Sequence, residues 1–298
     1  MRSSRLSVRF WGVRGSVATG GTAFAAVGGN TTCVEIRAGD DLLILDAGTG
    51  VFPLGLTLPQ PVQATFLVTH FHWDHIQGLP LFRPAYQAGN RFTFFAPGTS
   101  DDEVAAVFAK QMEPPNFPVP LDALSARLDF RALHGGEEFS SGSARIRTAV
   151  LNHPQGCLGY RITVGNASVA FATDTESLTR GEVDAALLDL ARGADVLIHD
   201  SQYTDDEYDG HCGPVRKGWG HSTFTDACAV ARRAGVGQLV LFHHDPSHDD
   251  EFIEQMASNA RSLFSDTLVA REGMELTVSE REGDRPAADQ APRARRAA

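Results

Sequence analysis

Residues 69–75 read THFHWDH, which places His70, His72, Asp74 and His75 within six positions. Imidazole and carboxylate are the donor set for Zn²⁺, Mn²⁺ or Fe²⁺. In an extended segment alternate side chains share a side, so His70 and His72 point one way, and Asp74 and His75 can turn to a second position nearby. Paired cations acidify a bound water and stabilise negative charge on a phosphoryl or acyl oxygen, so the chemistry expected is two-metal hydrolysis. The apolar run ATFLV leads into the cluster and marks it as the end of a strand rather than a polar surface loop.

The elements around it must deliver that strand end. Short runs rich in β-branched and aromatic residues, separated by glycine turns, predict strands at 6–11, 33–37, 42–45, 64–69 and 92–95, and again at 145–151, 158–164, 168–173, 196–199 and 238–242. AGDD between the second and third strands suits a hairpin turn. Helices are expected at 101–111, opening on acidic residues, and at 182–191, 225–234 and 250–264. Thr223 with Asp226 resembles a capping box, Gly235 suits a helix end, and PPNFPVP at 114–120 is a rigid stop. Strand clusters in both halves with helices between them predict an α/β protein, an αββα sandwich of two mixed sheets flanked by helices. One domain is expected over 1–280, followed by a disordered tail over 281–298, rich in Arg, Ala, Pro and Asp.

The 298 residues include 11 histidines and carry a formal charge of −11. Their pI is about 5.4. No apolar run approaches the ~20 residues of a membrane span, and no apolar stretch follows the basic N-terminus, so a soluble cytoplasmic protein is expected. Four scattered cysteines without a CxxC pair suit free thiols. The acidic balance, with its only basic cluster at 293–296, predicts a small-molecule partner and argues against a long nucleic acid.

THFHWDH resembles the HxHxDH signature of the metallo-β-lactamase superfamily. That family's remaining positions occur in order: His153 after RIRTAVLN, Asp174 after SVAFAT, His243 after QLVLF, and Asp46 closing LLILD. The resemblance implies that His70, His72 and His153 hold one metal and that Asp74, His75 and His243 hold a second. Asp174 would bridge them, with a hydroxide between metals roughly 3.5–4 Å apart. Two divalent ions per chain follow, zinc first, with manganese and iron as alternatives.

The later segment, LIHDSQYTDDEYDGHCGPVRKGWGHST, is similar to the ribonuclease Z branch and its small-molecule phosphodiesterase relatives. The likeness implies that His221 acts as general acid or phosphate donor, oriented by Asp200, so the catalytic set is Asp74, His221 and Asp200. The branch usually has Glu at the Asp200 position. FWGVRGS, GGNTTC and LILDAGTG resemble bacterial phosphodiesterase-like hydrolases, including cyclic-nucleotide and phosphoribosyl cyclic-phosphate phosphodiesterases. Arg14 is a candidate phosphate ligand or a structural arginine paired with a carboxylate, and Asn30 a candidate substrate contact or a turn residue. Residues 205–220 are the candidate substrate-facing loop.

Ribonuclease Z enzymes grip transfer RNA with a basic, glycine-rich arm. The insert at 80–133 has few basic residues and is not such an arm. The expected function is therefore hydrolysis of a small phosphodiester, a cyclic nucleotide or cyclic phosphate, through a metal-bridging hydroxide. Hydrolysis of an ester, thioester or lactone, and ribonuclease Z-like RNA cleavage, are the alternatives, and a homodimer is the default assembly.

Overall fold

Alternation along the early strands sends their side chains into two different cores. Leu43, Leu45 and Leu67 are buried in one, while Leu42, Ile44 and Phe66 are buried in the other. A strand that is apolar on both faces must be covered on both, which requires layers on each side. The computed structural model describes residues 6–177, 179 and 182–278. Its strands are β1 (Leu6–Gly12), β2 (Cys33–Ala38), β3 (Asp41–Leu45), β4 (Gln63–Leu67), β5 (Arg91–Pro97), β6 (Arg127–Leu133), β7 (Glu138–Ser141), β8 (Ala144–Leu151), β9 (Cys157–Val164), β10 (Ala167–Ala172), β11 (Val196–Asp200), β12 (Gln238–Phe242), β13 (Thr267–Val269) and β14 (Glu275–Val278).

They form two seven-stranded sheets, ordered β14-β1-β2-β3-β4-β5-β6 and β13-β12-β11-β10-β9-β8-β7. The first is antiparallel from β14 through β3 and parallel from β3 to β6, and the second is antiparallel from β7 to β10 and parallel from β10 to β13, so both sheets are mixed. Between them lies the larger core, where Phe10 of the first sheet meets Phe242 of the second at 6.1 Å between ring centroids. The Tyr160 hydroxyl crosses the same interface to donate to the Val68 carbonyl at 2.6 Å.

Helices α1 (Val51–Thr57), α2 (Trp73–Ile76) and α3 (Asp101–Gln111) belong to the first half, and α4 (Ala185–Ala191), α5 (Asp205–Tyr208), α6 (Phe224–Ala234) and α7 (Asp250–Leu263) to the second. Thr223 and Asp226 form a reciprocal capping box, and Gly235 closes α6 in the left-handed conformation. This is the αββα sandwich expected. None of the described helices is long and apolar enough to cross a membrane.

Several boundaries differ from expectation. Helix α4 starts at Ala185 rather than 182, because the Asp184 side chain accepts from the backbone of Ala186 and Leu187 and sets the N-cap there. Helix α1 is unheralded, since Pro53 and Gly55 read as breakers; Pro53 sits in the first turn, where its missing N–H has no helical partner to lose. Residues 205–208 are helical rather than loop, capped reciprocally by Thr204 and Glu207. The expected tail over 281–298, with its basic cluster and the domain limit at 280, lies outside the described residues.

Candidate metal centre

Three strands end on residues that turn the chain through positive φ: Asp46 after β3 (60°), Asp174 after β10 (49°) and His243 after β12 (60°). A non-glycine residue in this region costs about 1–3 kcal/mol, so the surrounding contacts must hold each one there. The THFHWDH segment leaves β4 and turns into the short helix α2, whose N-cap is His72. Together these ends bring the seven predicted ligands to one edge of the sandwich.

Their donor atoms fall into two groups that share Asp174: His70, His72, His153 and Asp174, and Asp74, His75, Asp174 and His243, with the atoms of each group all within 4.8 Å of one another. Asp174 splits its oxygens between the two. Its Oδ2 lies 3.6 Å from His70 Nε2 and 3.8 Å from His153 Nε2, and its Oδ1 lies 3.3 Å from His75 Nε2 and 3.2 Å from His243 Nε2. Asp74 Oδ2 stands 3.2 Å from both His75 Nε2 and His243 Nε2.

Hydrogen bonds on the far nitrogens decide which atom each imidazole presents. His75 Nδ1 donates to Asp46 at 2.7 Å. His153 Nδ1 donates to the Gly220 carbonyl at 2.8 Å. Thr69 Oγ1 donates to Asp46 and so accepts from His70 Nδ1 at 3.0 Å. His243 Nδ1 faces Gln202 Oε1 at 3.1 Å. All four rings therefore turn Nε2 inward. His72 is reversed: its Nε2 faces Gln155 at 3.3 Å, and its Nδ1 lies 3.2 Å from His153 Nε2.

Among the described residues, buried His70 Nε2 and His75 Nε2 make no hydrogen bond, although carboxylate oxygens of Asp74 and Asp174 stand near them. Buried nitrogens left without a partner are costly unless a ligand takes their lone pairs, and here they converge on a carboxylate in a nitrogen-rich set. The residues fit two divalent cations: five imidazoles and two carboxylates, one of them shared. Burial lowers the pKa of His70 well below the usual value and also lowers that of His153, leaving both as neutral donors. Burial opposes charge on His75 as well, but Asp174, Asp74 and Asp46 outweigh it and raise that group well above its usual range.

His221 stands beside this set. Its Nδ1 lies 2.9 Å from Asp200 Oδ2 and 4.0 Å from Asp174 Oδ2, and its ring stacks on His243 at 5.0 Å. Burial works against its protonation, but Asp200 prevails and pushes the pKa up to about 9. With Nδ1 engaged, Nε2 is the atom free to face the cleft. A cavity of about 450 Å³ opens over the cluster, lined by Ser16, Phe71, His72, Trp73, Asp74, Asp174 and His221.

Two predicted contacts lie elsewhere. Arg14 is fully buried, and its guanidinium donates to the carbonyls of Gly28, Asp245 and His248 at 2.8, 3.1 and 2.6 Å. It clamps loops together through carbonyls, where the structural reading had anticipated a carboxylate. Asn30 Nδ2 donates to Glu272 at 3.0 Å, and its carbonyl accepts from the backbone of Val13 and Arg14, so its polar groups are engaged within the protein.

Other residues at the site went unread. The Ser16 backbone N–H donates to Asp74 Oδ2 at 2.8 Å and fixes that carboxylate. Glu176 accepts from the backbone of Gly218 and Gly220 at 2.7 and 2.8 Å, and so holds the carbonyl that orients His153. Gly220 has φ 89°, and a Cβ there would meet His153 Nδ1 at 2.2 Å. An acid two residues beyond Asp174 is the only sequence hint of Glu176.

A family model described as a beta-lactamase superfamily domain matches residues 42–244. The chain is 25% identical over 269 residues to a protein named ribonuclease Z from Lactococcus lactis subsp. lactis, an overlap of 74% of this chain and 83% of that one. Among solved structures, the metallo-beta-lactamase fold protein YhfI from Bacillus subtilis is similar with a TM-score of 0.70 and 19% identity, covering 92% of this chain and 100% of that one. The short form of human tRNase Z is similar with a TM-score of 0.68 and 17% identity, covering 92% and 99%.

These relatives correct one expectation. Acidic net charge does not exclude a long nucleic acid, because proteins named as a ribonuclease and a tRNase share this chain's sequence or fold. Net charge sums the whole surface, whereas a polyanion meets only the face around the site. With the family match spanning most of its length and the candidate metal ligands gathered at one edge, the chain belongs to the beta-lactamase superfamily, as a hydrolase of the metallo-β-lactamase fold.

Proposed function

We propose that the protein is a dinuclear metal-dependent phosphodiesterase whose substrate is a small phosphodiester, a cyclic nucleotide or cyclic phosphate. The observation that carries this reading is His221, held by Asp200 at 2.9 Å beside the shared Asp174. A phosphodiester gains charge on its non-bridging oxygens and expels an alkoxide that needs a proton, and a positioned imidazolium serves both demands.

His70, His72 and His153 would hold one cation and Asp74, His75 and His243 the other, with Asp174 common to both. Zn²⁺ suits the imidazole-rich set best. When bound, the cations would supply an acidified water and stabilise charge on the phosphoryl oxygens. His221 Nε2 faces the cleft and carries the proton destined for the leaving oxygen, while Asp200 keeps the ring oriented. Asp74, fixed by the Ser16 N–H and by two imidazoles, holds its side of the cleft rigid.

RNA is the second reading, favoured by the likeness to ribonuclease Z. The test is hydrolysis of bis(p-nitrophenyl) phosphate by metal-loaded protein, with His72→Ala and Asp74→Ala alongside, followed by cyclic mononucleotides, cyclic dinucleotides, cyclic ribose phosphates and short RNA. Both variants should lose activity, and rates equal to the wild type would sink the assignment. A preference of about a hundredfold for a lactone or thioester over every phosphodiester would reverse it.

A further inference from the structure

Beside the metal cleft lies a second lobe of about 380 Å³, whose lining includes Ser16, Tyr203, Arg216, Trp219 and His221. Ser16 and His221 also line the metal cleft, so the two lobes meet at the imidazole beside the metal cluster. A substrate whose phosphate sits over the cluster would carry its remaining part into this lobe.

The chemistry of the lobe selects what that part can be. Planar groups line it in sequence: the Arg216 guanidinium lies 4.4 Å over the Tyr203 ring, which meets His221 edge-on at 5.9 Å. Trp219 is 51% exposed at the rim, although water exposure of so large a ring is unfavourable. Arg216 is not a spare anion receptor, because it sits 3.3 Å from Asp245 Oδ2 and 3.7 Å from Glu207 Oε1. A second phosphate would face two carboxylates and one guanidinium. An acyl chain would meet Gln202, Ser16 and Asp245 instead of an apolar tube. A neutral, flat, heteroaromatic group fits both constraints.

The lobe is also built in advance. Glu176 holds the Gly218 and Gly220 backbone, the Arg216 N–H donates to the Tyr208 carbonyl at 3.1 Å, and Glu207 takes a hydrogen bond from His248 Nε2 at 2.7 Å. Trp219 is thus presented on a fixed segment, and stacking there costs little ordering.

We propose that this lobe is a nucleobase subsite, with Trp219 as its stacking platform, so that the phosphodiester cleaved is a nucleotide. The inference rests on the phosphodiesterase reading for the identity of the reaction, but not for the binding of the base.

Two measurements test it. The first is the ratio of kcat/KM for a nucleoside 2′,3′-cyclic phosphate to that for the base-free ribose cyclic phosphate, in metal-loaded wild type, Trp219→Ala and Trp219→Phe. The ratio should fall about tenfold or more in Trp219→Ala, as loss of a base stack predicts, and recover in large part in Trp219→Phe. An unchanged ratio in Trp219→Ala overturns the proposal.

The second needs no turnover. Of the three tryptophans, Trp11 is buried while Trp73 and Trp219 are exposed, so AMP stacked in the lobe should quench fluorescence that Trp219→Phe abolishes and Trp73→Phe retains. Quenching that survives Trp219→Phe, or disappears in Trp73→Phe instead, also overturns it. If neither cyclic phosphate is hydrolysed, the AMP titration alone decides the subsite, and bis(p-nitrophenyl) phosphate separately decides the phosphodiesterase reading.

Discussion

The two candidate metal positions share Asp174 and differ in nearly everything around it. At the second, His75 and His243 have no exposed surface, and both rings are tied through their far nitrogens, His75 to Asp46 and His243 to Gln202, while the inward oxygen of Asp74 takes the Ser16 N–H. At the first, His72 is only partly buried and its far nitrogen meets Gln155 in an exposed contact of 3.3 Å. One motif of six residues thus feeds a position built into the core and another open to the cleft. The difference teaches that the inner residues are built into the fold, while His72 at the outer position stands open to the cleft.

The largest effect should come from removing what the positions share. Asp174→Ala should lower kcat/KM by more than the ~10²–10³ that loss of one electrostatic contact costs, and metal analysis should show both positions weakened. Retention of one tightly held metal in that variant would break the symmetry inferred for the carboxylate.

Separating the positions comes next. His75→Ala leaves Asp46 and Asp74 buried beside an empty space, and chemical denaturation should show a loss of about 3–5 kcal/mol, as when one partner of a buried pair is removed. His72→Ala should change stability by only about 0.5 kcal/mol, since its side chain is partly exposed, although activity falls. Equal destabilisation by the two would erase the contrast between core and edge.

A smaller change lies one bond further out. Asp46→Asn disturbs the hydrogen bond that orients His75, and metal affinity at the second position should drop about 10–100-fold while the first keeps its own.

The smallest effect belongs to helix α5. Burial alone would raise the Glu207 pKa, but the bonds from His248 and Thr204 win and lower it to about 2 from an ordinary 4.5. A depressed folded-state pKa contributes stability that is complete above about 4.5 and is lost as pH falls through about 2. Glu207→Gln should therefore flatten the decline of the thermal midpoint across that window and leave its shape near pH 7 alone. A decline as steep as in the wild type would show that the pair does not set the acid limb.

Much of this was legible in the chain because strand periodicity and strand-end chemistry are local. The apolar runs before His70, Asp46, Asp174 and His243 marked the strands, and the order of the ligands marked the sandwich. Less visible were β6, whose residues are mostly half-buried, and the short strands β7, β13 and β14. Arg14 misled because a guanidinium near a glycine-rich turn suits phosphate and carbonyl oxygens equally; only its burial decides. Glu176, Ser16 and Gln202 act through contacts spanning 44, 58 and 41 positions, which no local pattern encodes. Net charge misled about nucleic acid for the same reason, since a sum over the surface holds no information about one face.

The central claim is that two metal positions share one carboxylate. It is tested most directly by titrating metal-free protein with Zn²⁺ in competition with a chromophoric chelator, for the wild type, His72→Ala and Asp174→Ala. The account predicts two equivalents bound by the wild type, one by His72→Ala, and weakened binding at both positions in Asp174→Ala. Saturation of the wild type at a single equivalent, or two tightly held equivalents in Asp174→Ala, would contradict it.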